Sequence, residues 1–166
     1  TAGVHEPNDD HYTLWTSSQN PHLVRRWLAE NSLRIPEHRV RVVSPDVGGG
    51  FGQKISHYPE EPLVLWAAKR FGRAVRWTGS RMENLACDTH GRDHVTRARM
   101  AFDAQGRILA LEVDTVAAIG AYVTAFGAAI PGYFYAPLLA GMYRTPAIHA
   151  RVRGVYTHTG PVDAYR

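Results

Sequence analysis

Apolar and polar positions along the chain change period several times, and each change marks an element. His11-Tyr12-Thr13-Leu14-Trp15-Thr16-Ser17 is rich in β-branched and aromatic residues and predicts a strand. Turn residues precede it at Glu6-Pro7-Asn8-Asp9-Asp10. Asn20 suits an N-cap and Pro21 a first helical position, so a helix is expected from Pro21 to about Asn31. Leu23, Val24, Trp27 and Leu28 fall on one face of it. Val40, Val42 and Val43 define a strand over Arg39 to Ser44, which runs into Pro45-Asp46-Val47 and a glycine-rich loop. A second helix starts near Pro59 or Pro62, carries Leu63, Val64, Trp66, Ala67 and Phe71, and stops at Gly72. A short strand follows over Ala74 to Trp77.

The second half reads differently. Asp93 to Phe102 alternates with period two, and Asp103-Ala104-Gln105-Gly106 supplies a hairpin loop. The return strand covers Arg107 to about Val116, and a last strand covers Ala147 to Tyr156. Between them, Ala117 to Met142 is apolar but broken by glycines and prolines, and reads as buried loop with a short helix. The pattern predicts an α+β fold: a mixed β-sheet with helices packed on one face plus a long β-hairpin. No linker interrupts it, so residues 1–166 are expected to form a single unit.

Composition narrows the function classes. With 45% hydrophobic and 20% charged residues, the chain is globular rather than disordered. The net charge of +4 is dispersed, which argues against a nucleic-acid-binding face. The single cysteine, Cys87, rules out an internal disulfide and fits a reducing, cytoplasmic setting. No apolar run reaches membrane-spanning length, so no membrane association is expected. The absence of an initiator methionine and the abrupt end at Arg166 imply a segment of a longer chain.

The candidate chemistry centres on Gly48-Gly49-Gly50-Phe51-Gly52-Gln53-Lys54. Glycines free this backbone for positive φ and let its N–H groups approach a flat or anionic ligand. A nucleotide P-loop is a poor match, because Gln53 replaces the second glycine and Ile55 the magnesium-binding hydroxyl. The dinucleotide fingerprint fails at Gln53 as well. A phosphate-binding domain and a plain strand-to-helix turn remain as alternatives.

The loop keeps company. Tyr12 to His22, with Gln19-Asn20-Pro21, precedes it; Ser80-Arg81-Met82-Glu83-Asn84, the Asp103–Ala110 hairpin, Gly120-Ala121-Tyr122 and Asp163-Ala164-Tyr165-Arg166 follow. In that order the motifs resemble the large subunit of the molybdenum hydroxylases, the family of xanthine dehydrogenase, aldehyde oxidase and aerobic carbon monoxide dehydrogenase. Arg81-Met82-Glu83-Asn84 and Ala164-Tyr165-Arg166 point to the bacterial carbon-monoxide-dehydrogenase-like branch. The resemblance implies that the chain is part of the region binding a molybdopterin-type molybdenum cofactor. It implies oxidation of a small carbon substrate, either C–H hydroxylation with water-derived oxygen or CO oxidation. Gln19 matches the glutamine whose amide approaches an oxygen ligand of the metal, a role suited to a neutral donor. Gly49, Gly50, Phe51 and Gly52 match the loop along the cofactor, and Tyr165 and Arg166 an aromatic–arginine pair beside it. The metal is held by cofactor sulfurs, so no protein metal ligand is implied. FAD and 2Fe-2S clusters would lie on partner subunits or domains, and the remainder of the large subunit would complete the pocket.

The chain also departs from the family. The general-base glutamate belongs to a glycine-rich motif that has no match here, so the segment is expected to be inactive alone. Ile55 stands where purine-oxidising members carry a substrate-binding glutamate, and no arginine lies between Arg107 and Arg144, so purines are disfavoured. Cys87, His90 and His94 have a spacing compatible with ligands on one helix face, but Gly91 interrupts it and no fourth ligand is evident. Arg81 and Glu83 read, apart from the family, as a surface ion pair. A non-catalytic binding or assembly module is the further alternative, self-associating through Trp15, Trp27 and Phe126.

Overall fold

The computed structural model describes residues 1–164 and divides them into two compact units, Thr1–Cys87 and the described residues from Asp88 onward. The boundary falls between a helix-ending cysteine and an aspartate, with no proline- or glycine-rich linker to mark it.

The first unit is a four-stranded mixed sheet in the order β3-β2-β1-β4. Its strands are β1 (Ala2–Glu6), β2 (His11–Trp15), β3 (Val40–Val43) and β4 (Val75–Arg76). β1 runs antiparallel to β2 and β4, and β2 parallel to β3. Helix α1 (Pro21–Trp27) starts as expected at Asn20, whose side chain accepts from Leu23 N–H, and continues as a wider π-type segment, Leu28–Leu33. Helix α2 (Glu60–Phe71) has Pro62 in its first turn and ends on Gly72 at φ +63°. Tyr12, Leu14, Val24, Leu28, Val40, Val64 and Leu65 form the core. Gly3 pairs with Leu14 on the helix-covered side, and a Cβ there would lie 2.9 Å from the Leu65 side chain and 3.0 Å from the Val64 backbone. α2 can approach the sheet this closely only because residue 3 is glycine. A seven-residue helix, α3 (Arg81–Cys87), closes the unit.

The second unit is a three-stranded sheet in the order β5-β6-β7. β5 (His94–Phe102) and β6 (Ile108–Gly120) form the long antiparallel hairpin, and β7 (Ile148–Tyr156) lies parallel to β6. The hairpin loop is held by Asp103, whose carboxylate accepts from the backbone of Gln105 and Arg107 at 2.9 and 2.8 Å. Leu111, Val113, Thr115 and Ala117 alternate onto the buried face of β6. The apolar stretch after β6 is less buried than its composition suggests. It holds a π-type turn (Ile130–Phe134) and a 3-10 turn (Ala136–Leu138), but Tyr122, Tyr133, Leu138 and Met142 are exposed. Among the described residues no helix is long and apolar enough to cross a membrane.

Candidate cofactor site

The site is built where β2 ends and α1 begins. Thr16 and Ser18 are buried while Ser17 and Gln19 are exposed, so the strand alternation persists past β2. Ser44, just beyond the parallel neighbour β3, fixes this segment. Its Oγ lies 2.9 Å from the Thr16 carbonyl and 2.7 Å from the Ser18 carbonyl, and accepts from Ser18 N–H at 3.0 Å. Ser18 Oγ accepts from Asn20 N–H at 3.0 Å and contacts the Lys54 carbonyl at 3.2 Å. The cap of α1 is therefore Asn20, and Gln19 is left to do something else.

Gln19 reaches the glycine loop. Its backbone N–H donates to the Lys54 carbonyl at 3.1 Å, and its side-chain Oε1 accepts from Gly52 N–H at 3.0 Å. Because a backbone N–H can only donate, this bond fixes which end of the amide is which. Oε1 is committed inward, and Nε2 keeps both protons with no partner among the described residues.

The loop itself is a run of left-handed backbone. Gly48, Gly49, Phe51 and Gly52 have φ of +69°, +97°, +57° and +78°. Three of the four are glycine, for which this is free; Phe51 carries about 1–2 kcal/mol of strain. The Phe51 ring lies over Gly49, where a Cβ would be 2.7 Å from it, and is half exposed. Gly50 faces Gln19, and a Cβ there would lie within 2.7 Å of that side chain. The loop closes on itself through Lys54 N–H to Gly50 carbonyl and Ile55 N–H to Gly52 carbonyl, both 3.1 Å. The Lys54 ammonium reaches back to the Val47 carbonyl, so it braces the loop. Among the described residues, the N–H groups of Gly48, Gly49 and Gly50 have no partner. Several free backbone donors beside a free amide make a shallow cradle for a polar or anionic ligand.

The predicted residues Gln19, Gly49, Gly50, Phe51 and Gly52 thus come together in one place. Tyr165 and Arg166 lie outside the described residues. The segment leading to them is anchored in the second unit: Asp163, buried, accepts from Phe126 N–H at 3.4 Å and from Ala164 N–H, and its own N–H donates to the His90 carbonyl at 2.8 Å. Residue-type reasoning missed Ser18, Ser44 and Asp163.

Other expectations are corrected. Cys87 ends α3 and His94 opens β5, so Cys87, His90 and His94 share no helix face. Glu83 turns to Ser80 instead of Arg81. Its carboxylate accepts from Ser80 N–H at 2.7 Å while Ser80 Oγ accepts from Glu83 N–H at 3.2 Å, a reciprocal capping box. Those bonds hold the Glu83 carboxyl below its usual range. Of Trp15, Trp27 and Phe126, only Trp15 is exposed.

The chain is similar to known proteins in sequence and fold. A family model described as the molybdopterin cofactor-binding domain matches residues 1–166. The chain is similar to the carbon monoxide dehydrogenase large chain of Hydrogenophaga pseudoflava, with 39% identity over 165 residues covering 97% of this chain and 20% of that one. It is also similar to the 6-hydroxypseudooxynicotine dehydrogenase complex subunit gamma of Paenarthrobacter nicotinovorans, with 35% identity over 163 residues, again 97% and 20%. Among solved structures, quinoline 2-oxidoreductase from Pseudomonas putida 86 superposes with a TM-score of 0.92 at 37% identity, covering 99% of this chain and 21% of that chain. A Cu,Mo-CO dehydrogenase superposes with a TM-score of 0.87 at 30% identity, covering 99% and 21%. The chain spans about a fifth of the length of the curated relatives it matches.

Proposed function

The chain belongs to the molybdopterin cofactor-binding domain family of the molybdenum hydroxylases, and from that premise we propose that Gln19 and the loop Gly48–Gly52 form one wall of the cofactor site of an oxidoreductase acting on a small carbon substrate. The observation that carries this reading is the divided amide of Gln19: Oε1 is held by Gly52 N–H at 3.0 Å, and Nε2 is left as a fixed, neutral donor beside three unpaired glycine N–H groups. The residues fit such a group. Positive φ at Gly48, Gly49 and Gly52 keeps the backbone bare, and side chains at Gly49 or Gly50 would fill space now held by Phe51 and Gln19.

When bound, the cofactor supplies the two-electron redox centre. The chain's own residues do simpler work. Gln19 Nε2 would donate a hydrogen bond toward the metal end without adding charge. The glycine N–H groups would hold polar atoms of the cofactor, and donors already aligned need no reorganisation during turnover. Phe51, half exposed, would cover one side and exclude water. Tyr165 and Arg166 are assigned to the cofactor by their motif alone.

The finer assignments extend this reading. The substrate is CO, an aldehyde or an aromatic heterocycle; Ile55, an apolar residue closing the loop, disfavours purines. The rest of the large subunit supplies the general base and the remaining walls, and iron–sulfur and FAD subunits carry electrons away. The 166-residue polypeptide alone is therefore inactive. Metal and pterin analysis of the full-length protein tests the reading. About one molybdenum and one pterin per large subunit are expected, and their absence from active protein overturns it. Oxidation of CO or an aldehyde by the isolated polypeptide would contradict the assigned division of labour.

A further inference from the structure

We propose that Glu61 is a positioning residue of this site, holding both of its arms to the body of the first unit; the inference rests on the cofactor-binding reading above. Glu61 lies in the first turn of α2, where a carboxylate ordinarily faces water. Here it is 4% exposed, and burying a carboxylate is costly unless both oxygens are satisfied.

Both are satisfied, each by a different arm of the site. Oε1 accepts from Thr16 Oγ1 at 3.0 Å, and Oε2 lies 2.6 Å from His57 Nδ1. A carboxylate only accepts, so the proton of that pair sits on the ring Nδ1. Thr16 uses its proton toward Glu61, so Thr1 Oγ1, 3.1 Å away, is the donor to Thr16. On the other side His57 Nε2 meets Ser32 Oγ at 3.3 Å, and the ring lies beside Trp27 with centroids 6.3 Å apart.

The sequence positions give this network its meaning. Thr16 precedes Gln19 by three residues, and His57 follows Ile55, the end of the turn that closes the glycine loop, by two. The bonds Gln19 N–H to Lys54 carbonyl, Ser18 Oγ to Lys54 carbonyl and Gly52 N–H to Gln19 Oε1 tie the two arms to each other. The arm of Thr16 and Ser18 is also held to β3, by Ser44 Oγ and by Thr16 N–H to the Val43 carbonyl at 3.1 Å. Glu61 adds a tie to α2, whose Val64, Leu65 and Ala68 are buried, two of them in the sheet core. The direct bonds set the internal geometry of the cradle and Ser44 holds it to β3, while Glu61 holds both arms against α2.

The test uses the full-length large subunit in its assembled enzyme, with hydrogen–deuterium exchange as the first readout. In Glu61→Leu, amides of residues 48–56 should exchange about tenfold faster, while peptides from β2, the interior of α2 and β6 keep wild-type rates. Glu61→Gln should restore slow exchange, because its carbonyl still accepts from Thr16 and its amide donates to a neutral His57 ring. Thr16→Val, a milder change, should accelerate the same segment by a smaller factor and serves if Glu61→Leu does not accumulate. In a variant retaining cofactor, a fall in kcat with KM nearly unchanged accompanies the loop effect. Wild-type exchange at residues 48–56 in both Glu61→Leu and Thr16→Val overturns the proposal. So does acceleration spread evenly over the unit, which marks a merely structural role. Failure of the cofactor reading appears separately, as wild-type protein without molybdenum or pterin, whatever the exchange rates.

Discussion

Gln19 and Gly52 are joined by a hydrogen bond in which the side-chain oxygen accepts and the backbone donates, at 3.0 Å. The bond orients a neutral amide that would otherwise rotate freely on an exposed side chain. It also couples the end of β2 to the glycine loop 33 residues later.

Gln19→Glu separates the two halves of this relationship. A carboxylate still accepts from Gly52 N–H, so the loop should keep its conformation and the protein its thermal midpoint. The outward donor becomes a second acceptor. Removing one aligned donor from a reacting centre costs on the order of a hundredfold in kcat. Turnover of the assembled variant, beside its molybdenum content, checks this. Unchanged kcat with full metal loading would remove Gln19 from the site.

Gly50→Ala attacks the same contact from the loop side. The backbone at residue 50 tolerates a side chain, but its Cβ would collide with the amide carbon and Cβ of Gln19. Gln19 must swing away, and Gly52 N–H then loses its acceptor. Overpacking of this kind costs about 1–3 kcal/mol. The expected outcome is a folded, less stable protein with reduced cofactor content, measured by thermal unfolding and metal analysis. Gly48→Ala meets no atom within 4 Å and is strained only by its φ of +69°, so it should retain Gln19 in place.

How far the sequence foretold this arrangement depends on whether local rules or distant contacts fixed each part. α2 was legible because Pro62 and Gly72 bracket it, and the β5–β6 hairpin because Asp103 and Gly106 are specific turn chemistry. β1 was not: Ala2-Gly3-Val4-His5 has weak strand character, and Gly3 is dictated by α2 passing overhead. The division after Cys87 left no compositional trace. α3 carried a readable Ser-x-x-Glu signature, yet Arg81 beside Glu83 suggested an ion pair instead. At the site, Gln19 and the glycines were legible through their ordered company of motifs. Ser18, Ser44, His57 and Glu61 were not, because small polar residues, histidines and helix-start glutamates are common, and only tertiary packing buries Ser18 and Glu61 and brings Ser44 and His57 to them.

The capping box of α3 gives a local prediction. Ser80→Ala removes the acceptor for Glu83 N–H and should cost about 1 kcal/mol of helix stability. Exchange at residues 81–87 should quicken while the first-unit core stays protected. Glu83 is held below its usual range by its bonds to Ser80, so this support is present at neutral pH and lost as the carboxyl protonates in acid. Equal exchange in the two proteins at neutral pH would show that the box does not hold α3.

Asp10 gives the first unit a pH-dependent contact. It occupies the β1–β2 turn at φ +46° and gathers four partners: His5 Nε2 at 2.9 Å, Lys69 Nζ at 3.1 Å, the Tyr12 hydroxyl at 3.3 Å and an Arg39 nitrogen at 3.4 Å. The His5 bond first, and then Lys69, hold its carboxyl at about 2. The unfolded carboxyl has the higher pKa, near 3.9, so on acidification the unfolded state binds its proton first. The contribution of Asp10 is therefore complete above about pH 4 and disappears as pH falls toward 2. Asp10→Asn keeps a side-chain acceptor but removes the charge that ties the turn to α2 and to the segment before β3. Its urea midpoint should lie below that of the wild type at pH 7, and the two should converge as pH drops through this window. A gap that stays constant down to pH 2 would assign the stabilisation to the shape of the turn, with the carboxylate contributing none of it.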